Sequence, residues 1–227
     1  MIAENVRNIR RQIEDACARC SRTPDEIKLV AVSKTFDSRM IREVAAAGVL
    51  DIGENYVQEL QQKREDLLDL PLRWHFIGHL QTNKIKYIAQ WISVIHSVDS
   101  VRLGQALSEQ MAKQNRNLDV LVEVNTSAEP SKYGVTAEAT YDLVRTLRQL
   151  PFLNVIGLMT IGQFGEEPEA SRPSFRLLRE LQQHLHNEGI ELPHLSMGMS
   201  HDFPVAIEEG ATIIRIGTSI FGNRHYS

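Results

Sequence analysis

From residue 28 onward, short apolar runs alternate with longer amphipathic stretches. The runs are Leu29 to Ser33, Leu50 to Gly53, Trp74 to Gly78, Val94 to Ser97, Val120 to Asn125, Val155 to Thr160, Leu195 to Met199 and Ile213 to Gly217. Their shortness and continuous apolarity predict strands buried on both faces, as in a parallel sheet. Between them the spacing turns helical. Met40, Ile41, Val44 and Ala47 share one face, as do Tyr141, Val144, Leu147 and Leu150. Before the first strand, Ile2, Val6, Ile9, Ile13, Cys17 and Cys20 step by three and four, which predicts an extra helix over about residues 2–20. The stretch "TPDE" then reads as a short helix start, with Thr23 as cap, Pro24 in the first turn and Glu26 reaching back.

Eight such strands separated by helices, in a chain of 227 residues, predict a single (β/α)8 TIM barrel over residues 1–227. An open doubly wound sheet is the competing architecture, but its G-x-G-x-x-G fingerprint is missing after the first strand. No linker, low-complexity tract or change of composition divides the chain.

An apolar fraction of 42% and a charged fraction of 24% are ordinary for a globular protein. No apolar run approaches the ~20 residues needed to cross a bilayer. The start, "MIAENVRNIRRQIEDACARC", lacks the marks of a secretion signal, so a cytoplasmic protein with no membrane association is expected. A net charge of −4 with acids and bases interspersed gives no basic stripe for nucleic acid. Cys17 and Cys20 form a lone C-x-x-C that cannot complete a four-ligand zinc site by itself. Both lie on the buried stripe of the first helix and read as core packing, with a redox switch as the other reading. His75 and His79 stand four apart, but on a strand and its following turn they need not face one another, and no metal is expected. No large unexplained apolar stripe calls for an obligate partner, so a monomer is expected.

In a barrel of this kind, chemistry gathers where strands end. The ends here carry Lys34; Glu54 and Asn55; His79 and then Gln81 to Lys84, including Asn83; Asn125; Met159 and Thr160; Met199 to Asp202; and Gly217, Thr218 and Ser219. Glycine and serine after a strand are ordinary turn residues. Two such ends on the seventh and eighth strands, where barrels commonly hold phosphate, favour an anion cradle with Ser200, Thr218 and Ser219 as hydroxyl donors. Arg215 shares the face of Gly217 two residues later, and an interior guanidinium is costly without acceptors. An ion pair with Glu54 or Glu123 would supply them, and so would a ligand. Lys34 either reaches solvent or, partly desolvated near a phosphate cradle, becomes an amine able to form a Schiff base with an aldehyde. Pyridoxal 5′-phosphate (PLP) is a phosphorylated aldehyde.

The motifs "KLVAVSK", "DIGENYVQE", "WHFIGHLQTNK", "HSVDS", "VEVNTSAEPSKYGV", "GLMTIG", "LSMGMSHDFPVAIEEGAT" and "IRIGTSIFG" run in order along nearly the whole chain. With them the sequence resembles the pyridoxal 5′-phosphate homeostasis proteins, also called the YggS/PROSC type. The resemblance implies a barrel like the N-terminal domain of alanine racemase. It implies that Lys34 carries PLP as a Schiff base and that Ser200, Gly217 and Thr218 hold the phosphate. It places Arg215 opposite the pyridine nitrogen, Asn55 and Met199 near the ring, and His79 and Asn83 in a motif that touches the cofactor or shapes the loop. Arginine has donors and no acceptor, so the nitrogen facing it should be unprotonated and the ring a weaker electron sink.

Alanine racemase adds a second domain and a tyrosine base from its partner subunit. Ten residues follow Gly217, so that domain is expected to be absent, and Tyr56 and Tyr133 serve equally well as packing residues. The expected function is therefore cofactor holding and homeostasis without catalytic residues, with PLP-dependent apoenzymes as partners. A racemase or decarboxylase of the alanine racemase type is the alternative, and a Schiff-base aldolase a third reading.

Overall fold

All eight predicted strands form in the computed structural model, which describes residues 1–127, 129, 133–163, 165 and 167–222. They are β1 (Lys28–Val32), β2 (Asp51–Glu54), β3 (Arg73–Phe76), β4 (Val94–Val98), β5 (Leu118–Asn125), β7 (Leu153–Met159), β8 (His194–Ser196) and β9 (Ile213–Ile216). Every pairing is parallel, and the β1–β9 and β4–β5 pairs close the ring. The chain is thus a closed (β/α)8 barrel. A two-residue strand, β6 (Val135–Thr136), adds to the end of β5 and was too short to show in the apolar pattern. The "VEVNTSAEPSKYGV" motif lies partly outside the described residues, at 128 and 130–132.

The helices are α1 (Ile2–Arg19), α2 (Ser38–Ala46), α3 (Val57–Asp66), α4 (Val101–Gln114), α5 (Thr140–Leu147), α6 (Arg172–Asn187), α7 (Phe203–Glu208) and α8 (Thr218–Phe221). Local chemistry sets their starts. Asp37 accepts from the backbone N–H groups of Arg39 and Met40 at 3.0 and 3.1 Å and so caps α2. Glu26 accepts from the Thr23 N–H at 2.9 Å, as "TPDE" predicts, over a single 3-10 turn, Pro24–Glu26. After β3 a 3-10 helix, Thr82–Tyr87, replaces an α-helix. Buried Ile85 within it and buried Ile88 just after it stand three apart, the spacing a 3-10 turn superposes.

Alternation along the strands sorts residues between two cores. Outward side chains such as Ala31, Ile52, Trp74 and Phe76 join the helices in the larger one. Burial of an aliphatic or aromatic side chain there stabilises by about 1.5–3 kcal/mol. Inward, Val30, Val94, Leu121, Met159 and Ile213 make a small apolar cluster. The interior also holds buried His75, His96, Ser196 and Arg215. α1 packs across α2, α7 and α8, burying Ile2, Val6, Ile9, Ile13 and Cys17. Cys17 is fully buried, and burial pushes its thiol up, which suits packing rather than reactivity. Among the described residues, no helix is long and apolar enough to cross a membrane.

Candidate functional site

Four consecutive strands around the ring, β2, β1, β9 and β8, bring most of the candidate residues to one end of the barrel. Lys34 leads this group. Val30 and Val32 share the inward face with Gly53 on the neighbouring strand, while Ser33 turns outward and donates through Oγ to Glu54 Oε1 at 2.5 Å. Lys34 follows, half-buried, in the turn after β1. Thr35 takes a left-handed conformation, φ 72°, and its N–H donates to Glu59 Oε1 at 2.6 Å. Such a conformation is uncommon for a β-branched residue and persists only when its surroundings hold it.

What holds it is Lys63, a residue that the sequence pattern left as an ordinary polar position of α3. Its Nζ is buried and donates to the Ser33 carbonyl at 2.7 Å, Glu54 Oε1 at 2.6 Å and Glu59 Oε1 at 2.9 Å. One ammonium therefore fixes the residues on both sides of Lys34. Burial pushes the Glu54 carboxyl up, and the charge of Lys63 is the main opposing influence. The available signals were the i,i+4 spacing of Glu59 and Lys63 and the need of a buried Glu54 for a partner. Glu54 is also a correction: it is not a partner of Arg215. It follows inward-facing Gly53 by one residue, so alternation sends it outward to α3.

Arg215 is only 4% exposed and points into the barrel. Its Nη1 donates to Ser196 Oγ at 2.6 Å and its Nη2 to the Thr160 carbonyl at 2.8 Å. Burial pulls its pKa down to about 10, against the attraction of Glu123 and Asp202. Glu123 faces the same interior from β5. Burial, reinforced by Asp99, pushes its carboxyl up to about 7 despite Arg215. The guanidinium is thus anchored by two neutral acceptors, with Glu123 as an electrostatic neighbour.

The ends of β8 and β9 are joined to each other. The Ser219 N–H donates to Ser200 Oγ at 3.2 Å, and the Ser219 hydroxyl to the Ser200 carbonyl at 3.4 Å. Gly198 sits at φ 91°, and a Cβ there would fall 2.6 Å from that of Ala206, so a side chain is excluded. Asp202 then fixes the loop, accepting from the Met199 N–H at 2.7 Å and from Ser171 Oγ at 2.8 Å. Gly217 caps α8, and a Cβ on it would make only ordinary contact with the Val32 carbonyl. Thr218 is exposed beside it.

Asn55 completes the group. It is half-buried after β2, its backbone pressed so closely on Gly78 that a Cβ there would lie 2.4 Å from the Asn55 carbonyl oxygen. Its Oδ1 is buried with no hydrogen-bond partner among the described residues, an acceptor left for something else. An amine, an interior guanidinium, paired serines beside a helix start and an unspent amide oxygen match the donor and acceptor needs of PLP. His79 stands apart from them. It is exposed at the rim, stacked on Tyr133 with ring centroids 4.3 Å apart, and 3.9 Å from the Asp99 carboxylate. Asn83 is exposed in the 3-10 helix, and Tyr56 is exposed as well.

The model of the alanine racemase N-terminal domain matches residues 2–225. Over 224 residues the chain is 48% identical to a protein of Aquifex aeolicus named pyridoxal phosphate homeostasis protein, covering 98% of each. The chain belongs to this family. A pyridoxal phosphate homeostasis protein of Pseudomonas aeruginosa is 44% identical over 225 residues, with 99% of this chain and 96% of that one covered. PipY of Synechococcus elongatus, solved with PLP bound, superposes with a TM-score of 0.86 at 35% identity, over 98% of this chain and all of PipY. An alanine racemase of Clostridium difficile, 15% identical, shares the fold, with a TM-score of 0.75 over 99% of this chain and 58% of the racemase. The homeostasis family thus uses the racemase type of barrel.

Proposed function

We propose that the chain holds PLP at the C-terminal mouth of its barrel, tethered covalently by Lys34, and stores it rather than using it to turn over amino acids. The observation that carries this reading is the convergence of Lys34, Arg215, the Ser200–Ser219 pair and the unpartnered Asn55 oxygen on four adjacent strands. When bound, PLP supplies an aldehyde reactive toward primary amines and an electron-withdrawing ring.

Each residue then has a task. Lys34 offers the amine from a turn held by Lys63. Ser200, Thr218 and the start of α8 take the phosphate, and Gly217 lets it approach the backbone. Arg215 presents donors to the ring nitrogen and so disfavours a proton there, which keeps the ring a weak electron sink. Asn55 and Met199 flank the ring. His79, with Tyr133, closes the rim, and Asn83 shapes the loop behind it.

The storage role is supported by the homeostasis names of relatives across nearly the whole chain. As part of the same reading, residues 1–227 act as one cytoplasmic, monomeric unit that passes PLP to apoenzymes. The test is spectroscopic titration of the purified apoprotein with PLP, followed by incubation with a panel of amino acids. One equivalent of bound chromophore and no accumulating product is the expected result. Sustained racemisation or decarboxylation would replace this reading with the racemase one.

A further inference from the structure

A single file of hydrogen bonds crosses the barrel interior away from the proposed cofactor. Arg215 Nη1 lies 2.6 Å from Ser196 Oγ, and Ser196 Oγ 2.9 Å from His96 Nδ1. His96 Nε2 lies 2.9 Å from His75 Nδ1, and His75 Nε2 2.8 Å from Asp51 Oδ1. Asp51 meets the Arg73 guanidinium through both carboxylate oxygens, and the Arg73 side chain is 58% exposed at the opposite end of the barrel. Five strands supply the links.

With both buried imidazoles neutral, the two ends fix the direction of every link. Arginine only donates, so Ser196 Oγ accepts from Arg215. A carboxylate only accepts, so His75 carries its proton on Nε2 and donates it to Asp51. His75 Nδ1 is then an acceptor, and the proton of His96 sits on Nε2. His96 Nδ1 in turn accepts from the Ser196 hydroxyl. One neutral tautomer of each ring satisfies the whole file, and a further proton on either would aim a second donor at its neighbour. Burial pulls both imidazoles below their ordinary pKa, and the charge of Arg215 acts the same way on His96.

Filling space does not require this arrangement, because Val30, Val94, Leu121 and Ile213 fill adjoining interior positions without polar atoms. A buried polar chain is tolerated only when every member is satisfied, and then it specifies one geometry. We infer that His96 is a positioning residue for Arg215, acting through Ser196: the one-way file of donors holds Nη1 in place, as Thr160 holds Nη2, and so sets the face that the guanidinium presents to the mouth. The inference rests on the proposed facing of Arg215 toward the ring nitrogen of PLP. It adds that this facing is set by residues that never touch the cofactor.

Two measurements separate failure of this inference from failure of that reading. In cofactor-free protein with 15N-labelled histidine, the ring nitrogens of His75 and His96 should report neutral Nε2–H tautomers at pH 7. An Nδ1–H tautomer or an imidazolium at either residue overturns the file, whatever binds at the mouth. In PLP titrations, His96→Leu should weaken binding on the order of ten-fold, as loss of a hydrogen bond to a charged group would. It should also shift the bound absorbance, and His96→Asn, which restores an acceptor for Ser196, should recover both. Unchanged affinity and absorbance in a folded His96→Leu protein overturn the positioning role. Wild-type protein that takes up no PLP would sink the cofactor reading, and the positioning role with it, while the tautomers would still report the donor order.

Discussion

The ammonium of Lys63 lies 2.7 Å from the carbonyl oxygen of Ser33, the residue just before Lys34. The same ammonium reaches Glu59, which accepts from the N–H of Thr35, the residue just after it. The lysine proposed to hold the cofactor is therefore mounted between two backbone groups tied to one buried charge.

Removing that charge should be costly. Lys63→Met leaves the fully buried Glu54 carboxylate without its cation, and breaking a buried ion pair in this way typically costs about 3–5 kcal/mol. Urea unfolding should show the loss. Adding Glu54→Gln should recover much of the stability, because the carboxylate that remains without its cation, Glu59, is partly exposed rather than fully buried. PLP affinity should stay weakened in the double variant, since the Ser33 and Glu59 links are still missing. Full recovery of affinity would mean that the cluster does not position Lys34.

Glu123 should make the apoprotein less stable as pH rises. Its folded-state pKa, about 7, lies above the unfolded value near 4.3, so its contribution is complete below about pH 4 and is lost as pH climbs through 7. Glu123→Gln removes this dependence. Unfolding free energies of the cofactor-free variant should exceed those of wild type at pH 8, by on the order of 4 kcal/mol at most, and the advantage should shrink toward pH 5.

The two interior histidines act in the opposite sense. Their folded-state pKa values are lowered, so stability is complete above the unfolded value near 6.5 and declines as the pH falls below it. Each can contribute a slope of about 1.4 kcal/mol per pH unit. Unfolding free energies of His96→Leu should accordingly vary less steeply between pH 6.5 and 5 than those of wild type. An equal slope would show that His96 is not held neutral.

Gly198→Ala should disturb the phosphate end selectively. The left-handed backbone and the 2.6 Å approach to Ala206 leave no room for the methyl group. Strain of about 1–3 kcal/mol is expected, together with displacement of Met199 and Ser200. Affinity for PLP should fall more than affinity for pyridoxal, which lacks the phosphate. A parallel loss for both would place Ser200 away from the phosphate.

The barrel was legible because each interior strand is a short continuous apolar run, and the eight runs fall in the chain order that the ring uses. The candidate residues were legible because they end those runs: Asn55, Lys34, Arg215 with Gly217, and Ser200 stand on neighbouring strands. Contacts between strands distant in sequence were not. His75 attracted notice for its spacing from His79, yet it bonds to His96 on the next strand, and His96 bonds to Ser196 across 100 positions. No periodicity within one strand encodes which inward side chains meet across the ring. Lys63 was hidden for a related reason, since a lysine on an amphipathic helix looks solvated until the outward face of β2 is known to carry Glu54.

The central claim is that Lys34 is the covalent tether of PLP, and borohydride trapping followed by peptide mass analysis tests it most directly. Wild-type protein reduced in the presence of PLP should carry one pyridoxyl adduct, on the peptide containing Lys34, and Lys34→Ala should carry none at this site. An adduct of equal yield on Lys34→Ala, or a wild-type adduct confined to another lysine, would contradict the account.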